Sequence, residues 1–315
     1  MCLKIARLKF SSPVHFGELG IGIEETEEII HSDTLFSGLC HAWASLYGKT
    51  DLEEMLDAFE SEPPFLLSSC FIYQGQTYFL PKPAIQPPGF EEARIREEHG
   101  KSIKKMGYLP AQVFKKWVKQ EKITYETLKE DYPDYADGFE QDIIPRVAID
   151  RVTSNSSIYH FGLVKFNKEK DAGLYCLLKV LNKDYEQRLD STFRLLGELG
   201  LGGERSSGYG RFEVSFPEVP DDLKEISQFE GDRHCLLSLF HPENGVELKD
   251  ASYGLLERRG WILSPYLKKQ YKRKTVTMFS EGSVFSKPIK GHLVNVTPEI
   301  WSKEDVHPIY RYGFG

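Results

Sequence analysis

A glycine-rich segment at residues 197–212 constrains the fold of this chain more than any other stretch. Six glycines lie between Gly197 and Gly210, two arginines and two serines stand within the segment, and a strand-like run begins at Phe212. Glycine adopts positive φ and exposes its backbone, successive N–H groups form anion-binding concavities, and arginine suits phosphate oxygens. The segment therefore indicates a turning loop that binds a phosphate-bearing ligand.

The spacing of these glycines excludes the common nucleotide and nucleophile motifs. The loop has no Gly-Lys-Ser or Gly-Lys-Thr triplet, and no glycine run precedes the triplet at residues 48–50, which excludes a P-loop. A dinucleotide fingerprint starting at Gly200 would need glycine where Arg205 stands. A Gly-x-Ser-x-Gly nucleophile elbow is absent as well. A flexible surface loop and an anion cradle both stay open, and the arginines and serines favour the cradle.

The chain has a net charge of −7, but its acidic and basic side chains are concentrated in different segments. Residues 18–62 carry twelve acidic side chains and one basic one, whereas residues 94–122 carry nine basic and three acidic ones. Residues 258–274 carry seven basic side chains and no acidic one, with three aromatic residues among them. Solvated helix faces are one interpretation of each run. Basic residues interleaved with aromatic ones favour nucleic-acid binding.

Composition excludes several other classes of protein. No apolar run is long enough for a membrane span, and the N-terminus lacks the apolar stretch of a signal peptide. Five scattered cysteines without a Cys-x-x-Cys pair indicate buried thiols in a reducing cytoplasm rather than a disulfide framework. The nine histidines show no zinc spacing. We therefore expect a cytoplasmic protein without a cofactor, a metal or a membrane partner.

The pattern of elements predicts an α+β fold with two ferredoxin-like domains. The apolar pattern of residues 1–216 predicts first a strand, a helix from Thr34 to Tyr47 and a hairpin. A charged insertion at about 90–145 follows and contains a helix from Ala111 to Gln120. Further strands, a helix, the loop at 200–211 and a last strand complete this region. Two of the strands, Arg146–Val152 and Ile158–Phe166, form a hairpin. This order matches an elaborated βαββαβ unit. Residues 217–315 contain further strands that are consistent with a second such domain.

Several motifs, in order along the chain, resemble one family. Residues 200–212 resemble the G-loop of RAMP proteins, the RNA-binding subunits of CRISPR effector complexes. Six other segments resemble, more narrowly, the fourth subunit of type III-A Csm complexes. They are residues 31–37 (His-Ser-Asp-Thr-Leu-Phe-Ser), 79–83 (Phe-Leu-Pro-Lys-Pro), 149–153 (Ile-Asp-Arg-Val-Thr), 271–274 (Tyr-Lys-Arg-Lys), 282–285 (Gly-Ser-Val-Phe) and 310–315 (Tyr-Arg-Tyr-Gly-Phe-Gly). Because these motifs span the whole chain, they are more specific together than the glycine loop alone.

The resemblance implies a non-catalytic subunit that grips the repeat-derived 5′ tag of the guide RNA (crRNA). It implies two ferredoxin-like domains, the first with a thumb-like hairpin. It also implies contact with the large polymerase-like subunit and with the first backbone RAMP subunit.

On this basis we assign a set of candidate RNA-binding residues from the glycine loop, the first helix, the hairpin and the second basic run. They are Ser32, Ser37, Arg151, Thr153, Gly202, Gly203, Arg205, Ser206, Ser207, Gly208, Gly210, Arg211, Arg273 and Lys274. Glycine N–H groups and serine hydroxyls would donate to tag phosphates, and the basic side chains would add charge. An alternative for Ser32 and Asp33 is a helix N-cap. No catalytic or metal-binding residue is assigned.

Other functions compete with RNA binding without cleavage. A RAMP endoribonuclease that processes repeat RNA would use general acid–base catalysis, with His15, His31, His41 or His160 as candidates. A backbone subunit that cuts target RNA would use Asp33 with a metal ion. A nucleotide-binding enzyme is disfavoured by the motif spacings.

Overall fold

A seven-stranded antiparallel sheet is the centre of the N-terminal region. The computed structural model describes residues 2–17, 24–86, 88, 105–123, 133–150, 152–243, 245–262, 271–302 and 307–315. The strands are β1 (Cys2–Phe10), β2 (Phe65–Leu67), β3 (Phe71–Gln74), β4 (Thr77–Pro81), β5 (Tyr108–Pro110), β8 (Ala172–Val180) and β9 (Phe212–Ser215). They are ordered β5-β4-β3-β8-β1-β9, and β2 also pairs with β8.

Apolar side chains cover both faces of this sheet. In β8, Leu174, Cys176 and Leu178 face one core, whereas Tyr175 and Leu177 face the other. This alternation is the period of two that a strand imposes on its side chains. Burial on both faces explains why β8 reads as a continuous apolar run rather than an alternating one.

Helices pack against each face of the sheet. The first core includes apolar residues of α1 (Ser32–Tyr47), α2 (Lys49–Ser61) and α4 (Glu186–Leu199). The second core includes residues of α3 (Ala111–Val118) and α5 (Asp221–Gln228). In α1 the buried apolar residues are spaced three and four apart, the stripe of an amphipathic helix. The chain order β1, α1, β2–β3, β8, α4, β9 is that of a βαββαβ unit.

The long hairpin begins earlier than the sequence indicates. Its strands, β6 (Phe139–Ile149) and β7 (Ser156–Phe166), pair along eleven residues. The first seven residues of β6 and the short strand β5 lie within residues 90–145, where the sequence predicts a charged insertion. The helix predicted from Ala111 to Gln120 is present at Ala111–Val118. Much of β6 is exposed, so its apolar residues do not follow the alternation on which strand prediction depends.

The C-terminal region consists of small paired strands that contribute residues to both cores. The strands are β10 (His234–Cys235), β11 (Leu255–Arg258), β12 (Val276–Phe279), β13 (Val284–Phe285), β14 (His292–Asn295) and β15 (Tyr310–Gly313), and a short helix, α6 (Glu299–Ser302), lies between β14 and β15 in the chain. Within the described ranges they pair two by two, as β10–β13, β11–β12 and β14–β15. Tyr312 of β15 is fully buried in the first core, and its hydroxyl accepts a hydrogen bond of 3.0 Å from the Leu67 N–H.

The fold is therefore a mixed arrangement of sheets and helices in which the C-terminal residues complete the N-terminal core. No helix among the described residues is long and apolar enough to cross a membrane.

Candidate nucleic-acid interface

The glycine loop folds tightly onto the segment that follows β1. Gly202 has φ +93°, and a Cβ atom there would lie 2.4 Å from the carbonyl oxygen of His15. Gly210 has φ +77°, and a Cβ atom there would lie 2.0 Å from the carbonyl oxygen of Leu201. Other residues would be strained by these φ values and would collide with the backbone. Glycine at both positions therefore sets the path of the loop.

Several N–H groups of the loop are already used inside the protein. The N–H of Gly203 donates to the His15 carbonyl at 2.9 Å, and that of Gly210 donates to the Pro13 carbonyl at 3.0 Å. The N–H of Gly208 donates to the Arg205 carbonyl at 3.0 Å. The expectation that these three glycines donate N–H groups to phosphates is therefore corrected: they shape the loop. Gly202 differs, because its N–H takes part in no backbone hydrogen bond among the described residues.

The loop presents side chains rather than a ring of amides. A single 3₁₀ turn, Arg205–Ser207, lies at its tip. Ser206, Ser207 and Arg211 are exposed and Arg205 is half-buried. Among the described residues, neither arginine side chain forms a hydrogen bond or an ion pair. The Ser207 Oγ donates to Glu204 Oε2 at 3.1 Å. Two uncompensated guanidiniums and the Ser206 hydroxyl thus remain on the loop as groups that suit phosphate oxygens.

The hairpin is fastened to the glycine loop through Arg146. Its guanidinium forms an ion pair of 2.8 Å with Glu204 of the loop. It also lies 4.7 Å from the ring centre of Phe161 and 5.0 Å from that of Tyr209. Sequence reasoning missed both Arg146 and Tyr209. The position of Arg146 opposite Tyr159 follows from a turn at residues 150–155, whereas the predicted strands place the turn at residues 153–157.

The far end of the hairpin is a hydrogen-bonded turn. The Asp150 Oδ1 accepts from the N–H groups of Val152 and Thr153 at 2.7 and 3.0 Å. Thr153 is exposed, and Val152 is 94% exposed. Arg151, the other candidate here, lies outside the described residues. Ile143, Val147, Ile149 and Ile158 along the ribbon are also mostly exposed, so the hairpin has an apolar surface that faces away from the core.

Ser32 is an interior residue, which corrects its assignment as an RNA ligand. It is 0% exposed. Its N–H donates to the Ser69 hydroxyl at 2.8 Å, and its own Oγ accepts from the Leu239 N–H at 3.1 Å. The N-cap alternative is wrong as well, because the cap position of α1 is His31 and no side chain caps it. Ser32 instead joins the start of α1 to the C-terminal region.

Asp33 is the centre of a buried ion cluster. Its Oδ1 accepts from Arg258 Nη2 at 2.9 Å and its Oδ2 accepts from Arg258 Nε at 3.1 Å, while Arg311 also donates to Oδ2. Burial by itself would raise the pKa of Asp33, but the two guanidiniums outweigh it and hold the pKa well below its usual range. Both oxygens are engaged and the residue is 0% exposed, which leaves none free for a metal ion.

Two protein-family models match this chain. A family model described as the RAMP superfamily matches residues 7–213, about two thirds of the chain. The chain belongs to the RAMP superfamily. A second family model, the CRISPR Csm4 C-terminal domain, matches residues 229–315. The resemblance to the fourth Csm subunit is therefore confirmed, and the two matches cover the glycine loop, the Asp33 cluster and the closing strands of this RAMP protein.

Individual relatives agree with this assignment. The "CRISPR system Cms protein Csm4" of Thermococcus onnurineus (strain NA1) is 31% identical over 201 residues, which are 62% of this chain and 65% of that protein. Among solved structures, a chain of the Csm3-Csm4 subcomplex of the type III-A CRISPR-Cas interference complex has a TM-score of 0.66 at 21% identity, covering 99% of this chain and 97% of its own length. A chain of the Csm1-Csm4 cassette in complex with pppApA has a TM-score of 0.63 at 23% identity, with 99% and 96% covered. At these identities, the structures show a shared RAMP fold.

Two of the four candidate histidines of this RAMP chain have pKa values shifted away from the usual value of the imidazole. Burial opposes the charge of His31, but ion pairs of 2.9 Å to Glu281 and 3.1 Å to Glu27 raise its pKa to about 10. Burial lowers the pKa of His15, whose Nδ1 lies 2.9 Å from the Gly162 carbonyl oxygen. His160 is exposed, with Glu24 at 3.8 Å, and the fourth candidate, His41, lines a cavity beside α1.

The remaining candidates are Ser37 of α1 and two basic residues of the C-terminal region. Arg273 Nη2 donates to the Ser37 hydroxyl at 3.2 Å, so the structure brings these two residues together. Lys274 is exposed, and its N–H donates to the Val296 carbonyl at 2.9 Å. Across the described part of the chain, no group of three or more His, Cys, Asp or Glu side chains is placed to hold a metal ion.

Proposed function

We propose that this RAMP chain is the Csm4 subunit of a CRISPR Csm complex and that it holds the 5′ tag of the guide RNA without cutting it. In that complex it would contact the Csm1-type large subunit and the Csm3-type backbone subunit, the partners named with its structural relatives. Both regions would act as elaborated ferredoxin-like units, in the cytoplasm. The family matches support the subunit assignment, and the glycine loop supports the RNA contact.

The observation that carries the proposal is the pair of uncompensated arginines on the glycine loop. Arg205 and Arg211 stand on a loop whose path is fixed by Gly202 and Gly210. Phosphate oxygens would satisfy these guanidiniums without any rearrangement of the loop. Ser206 adds an exposed hydroxyl at the same turn, whereas the Ser207 hydroxyl donates to Glu204 at 3.1 Å. The site contacts phosphates and so fixes the position of the RNA rather than its sequence.

Binding without cleavage is supported by the state of the residues that rival functions require. A metal-dependent nuclease needs a free carboxylate, and both oxygens of Asp33 accept from arginines. A metal-independent nuclease needs a histidine that exchanges a proton near neutral pH. Two candidates, His15 and His31, have pKa values shifted in opposite directions away from that range.

The acidic segment is proposed to contact protein. On α2, Glu53, Glu54, Asp57 and Glu60 are exposed, and this surface would repel a phosphate backbone. A basic face of a neighbouring subunit would complement it and would be steered toward it at low salt.

The test of RNA binding is the affinity of the purified chain for a guide RNA with an intact 5′ tag, measured across a salt series. Replacing both Arg205 and Arg211 with alanine should weaken binding by roughly 10-fold or more. It should also flatten the salt dependence by about one unit for each lost phosphate contact. Arg233→Ala is the matched control, because Arg233 is exposed and has no side-chain partner among the described residues. An unchanged affinity and salt slope in the double variant would refute the assignment.

Incubation of the purified chain with repeat RNA and with guide–target duplex, with and without magnesium, tests for cleavage. Formation of a cleavage product would refute the non-catalytic role.

A further inference from the structure

Arg273 is a largely enclosed arginine that lacks a charged partner. Its one hydrogen bond within the described chain goes to the neutral hydroxyl of Ser37, and its Nε is buried without a partner there. The nearby carboxylate, Asp33, is already shared by Arg258 and Arg311. Burial, followed by repulsion from Arg311, lowers the pKa of Arg273 to about 10. An enclosed guanidinium without a counterion is costly to the fold, so its presence needs a reason other than stability.

The same arginine lines a cavity of about 270 Å³ between α1, α2 and the C-terminal region. The volume lies just below the roughly 300–1,000 Å³ typical of pockets for drug-sized ligands. The lining includes the apolar side chains of Phe36, Leu52 and Ile262 and the ring of Tyr310. The cavity thus combines a positive group with apolar walls that include aromatic rings.

The other charges around the cavity limit what would fit. Lys49 is paired with Glu53 at 3.5 Å. Asp57 also lines the cavity and adds a negative charge. One compact anion beside Arg273 is therefore favoured over a polyphosphate. A flat ring against the apolar lining would bury surface that is otherwise in contact with water.

We propose that this cavity binds one nucleotide, with its phosphate at Arg273 and Ser37 and its base against Leu52, Ile262 and Tyr310. The site is separate from the glycine loop and goes beyond the proposed grip on the RNA backbone, because it buries a base. The nucleotide is either free in solution or one residue of an RNA chain, and the chemistry of recognition is the same for both.

The test is the thermal stability of the full chain with and without AMP, with inorganic phosphate as the probe for the anion alone. AMP should raise the melting temperature of the wild type more than phosphate does, because a ligand that binds only the folded state stabilises it. Arg273→Gln should weaken AMP binding roughly 10- to 100-fold, the loss expected for a hydrogen bond to a charged group. Without ligand, this variant should be at least as stable as the wild type, because it removes an uncompensated charge. Arg233→Gln is the control with the same change of charge on the surface.

A second variant keeps the arginine and fills the space. Leu52→Trp should abolish stabilisation by AMP while leaving Arg273 in place. The proposal fails if AMP does not stabilise the wild type, or if it stabilises Arg273→Gln and Leu52→Trp as much as the wild type.

Prior loading with guide RNA separates the two sources of the nucleotide. Loss of AMP binding after loading identifies the occupant as a residue of the RNA, and retained AMP binding identifies a free nucleotide. Guide binding that depends on Arg205 and Arg211 but is accompanied by no AMP binding would overturn this site alone and leave the proposed function intact.

Discussion

Replacement of Asp33 by asparagine probes the cluster that joins the two regions of the chain. Asparagine keeps the shape of the side chain and removes its charge. Arg258 and Arg311, which are 8% and 2% exposed, would then share no carboxylate. Neither is exposed enough to recover full hydration without movement of the surrounding strands.

The magnitude follows from the burial of the two arginines. Breaking a buried ion pair by removing one partner costs about 3–5 kcal/mol, because the remaining charge stays enclosed. The amide oxygen of the introduced asparagine would still accept a hydrogen bond, which places the expected loss at the lower end, about 3 kcal/mol. A domain of this size loses roughly 2–4 °C of melting temperature per kcal/mol, so the melting temperature should fall by on the order of 10 °C. The total stability of a folded domain is only about 5–15 kcal/mol.

The assay is urea unfolding followed by far-ultraviolet circular dichroism, with Asp232→Asn, an exposed carboxylate, as the control. The midpoint should fall for Asp33→Asn with an unchanged slope. Arg258→Met should destabilise the wild type, but in the Asp33→Asn background it should be neutral or stabilising, because it then removes an unpaired charge. A loss below about 1 kcal/mol for Asp33→Asn, the range of exposed ion pairs, or additive effects of the two substitutions, would refute the reasoning.

Three further predictions concern other parts of the structure. His31 has a pKa raised to about 10 by Glu281 and Glu27. Its contribution to the free energy of unfolding is therefore complete below about pH 6.5, the usual pKa of histidine, and is lost as the pH rises toward 10. The difference in free energy of unfolding between wild type and His31→Gln should shrink over that interval, and a constant difference would contradict this prediction. Gly202→Ala should destabilise the chain more than Gly208→Ala. A Cβ atom at Gly202 would collide with the backbone, whereas no atom lies within 4 Å of a Cβ atom at Gly208. Gly208→Ala should cost about 1–2 kcal/mol, and equal melting temperatures of the two variants would contradict this ranking. Replacement of residues 152–155 by Asn-Gly should change the stability by less than about 0.5 kcal/mol and weaken guide-RNA binding in a filter assay; a collapse of the fold would show that the turn is structural.

The sequence was informative where local chemistry decides the structure. The glycine spacing predicted a turning loop between a helix and a strand, and the structure places that loop between Leu199 and Phe212. The apolar pattern predicted the helix that begins near Thr34. Both depend on residues that are close in sequence, whose conformational preferences can be read directly.

The sequence could not reveal contacts made across long separations. Asp33 looked like a helix cap because its neighbours fit that role, but its partners Arg258 and Arg311 are 225 and 278 residues away along the chain. The N–H groups of Gly203 and Gly210 looked available because their acceptors lie in a distant segment, residues 13–15. In each case tertiary packing supplied a partner that no local pattern encodes.

The burial of Tyr312 has a consequence for the synthesis of the chain. Domains usually fold from the N-terminus as the ribosome releases them, but the first core here lacks this ring until β15 has emerged. Phe36 and Phe59 contact Tyr312, at centroid distances of 5.4 and 6.3 Å, and would remain facing water until then. A chain that ends before Tyr310 also lacks Arg311 and therefore leaves Asp33 with one arginine. Completion of the core thus requires β15, and a product that terminates before Tyr310 would expose an apolar surface that chaperones and proteases recognise.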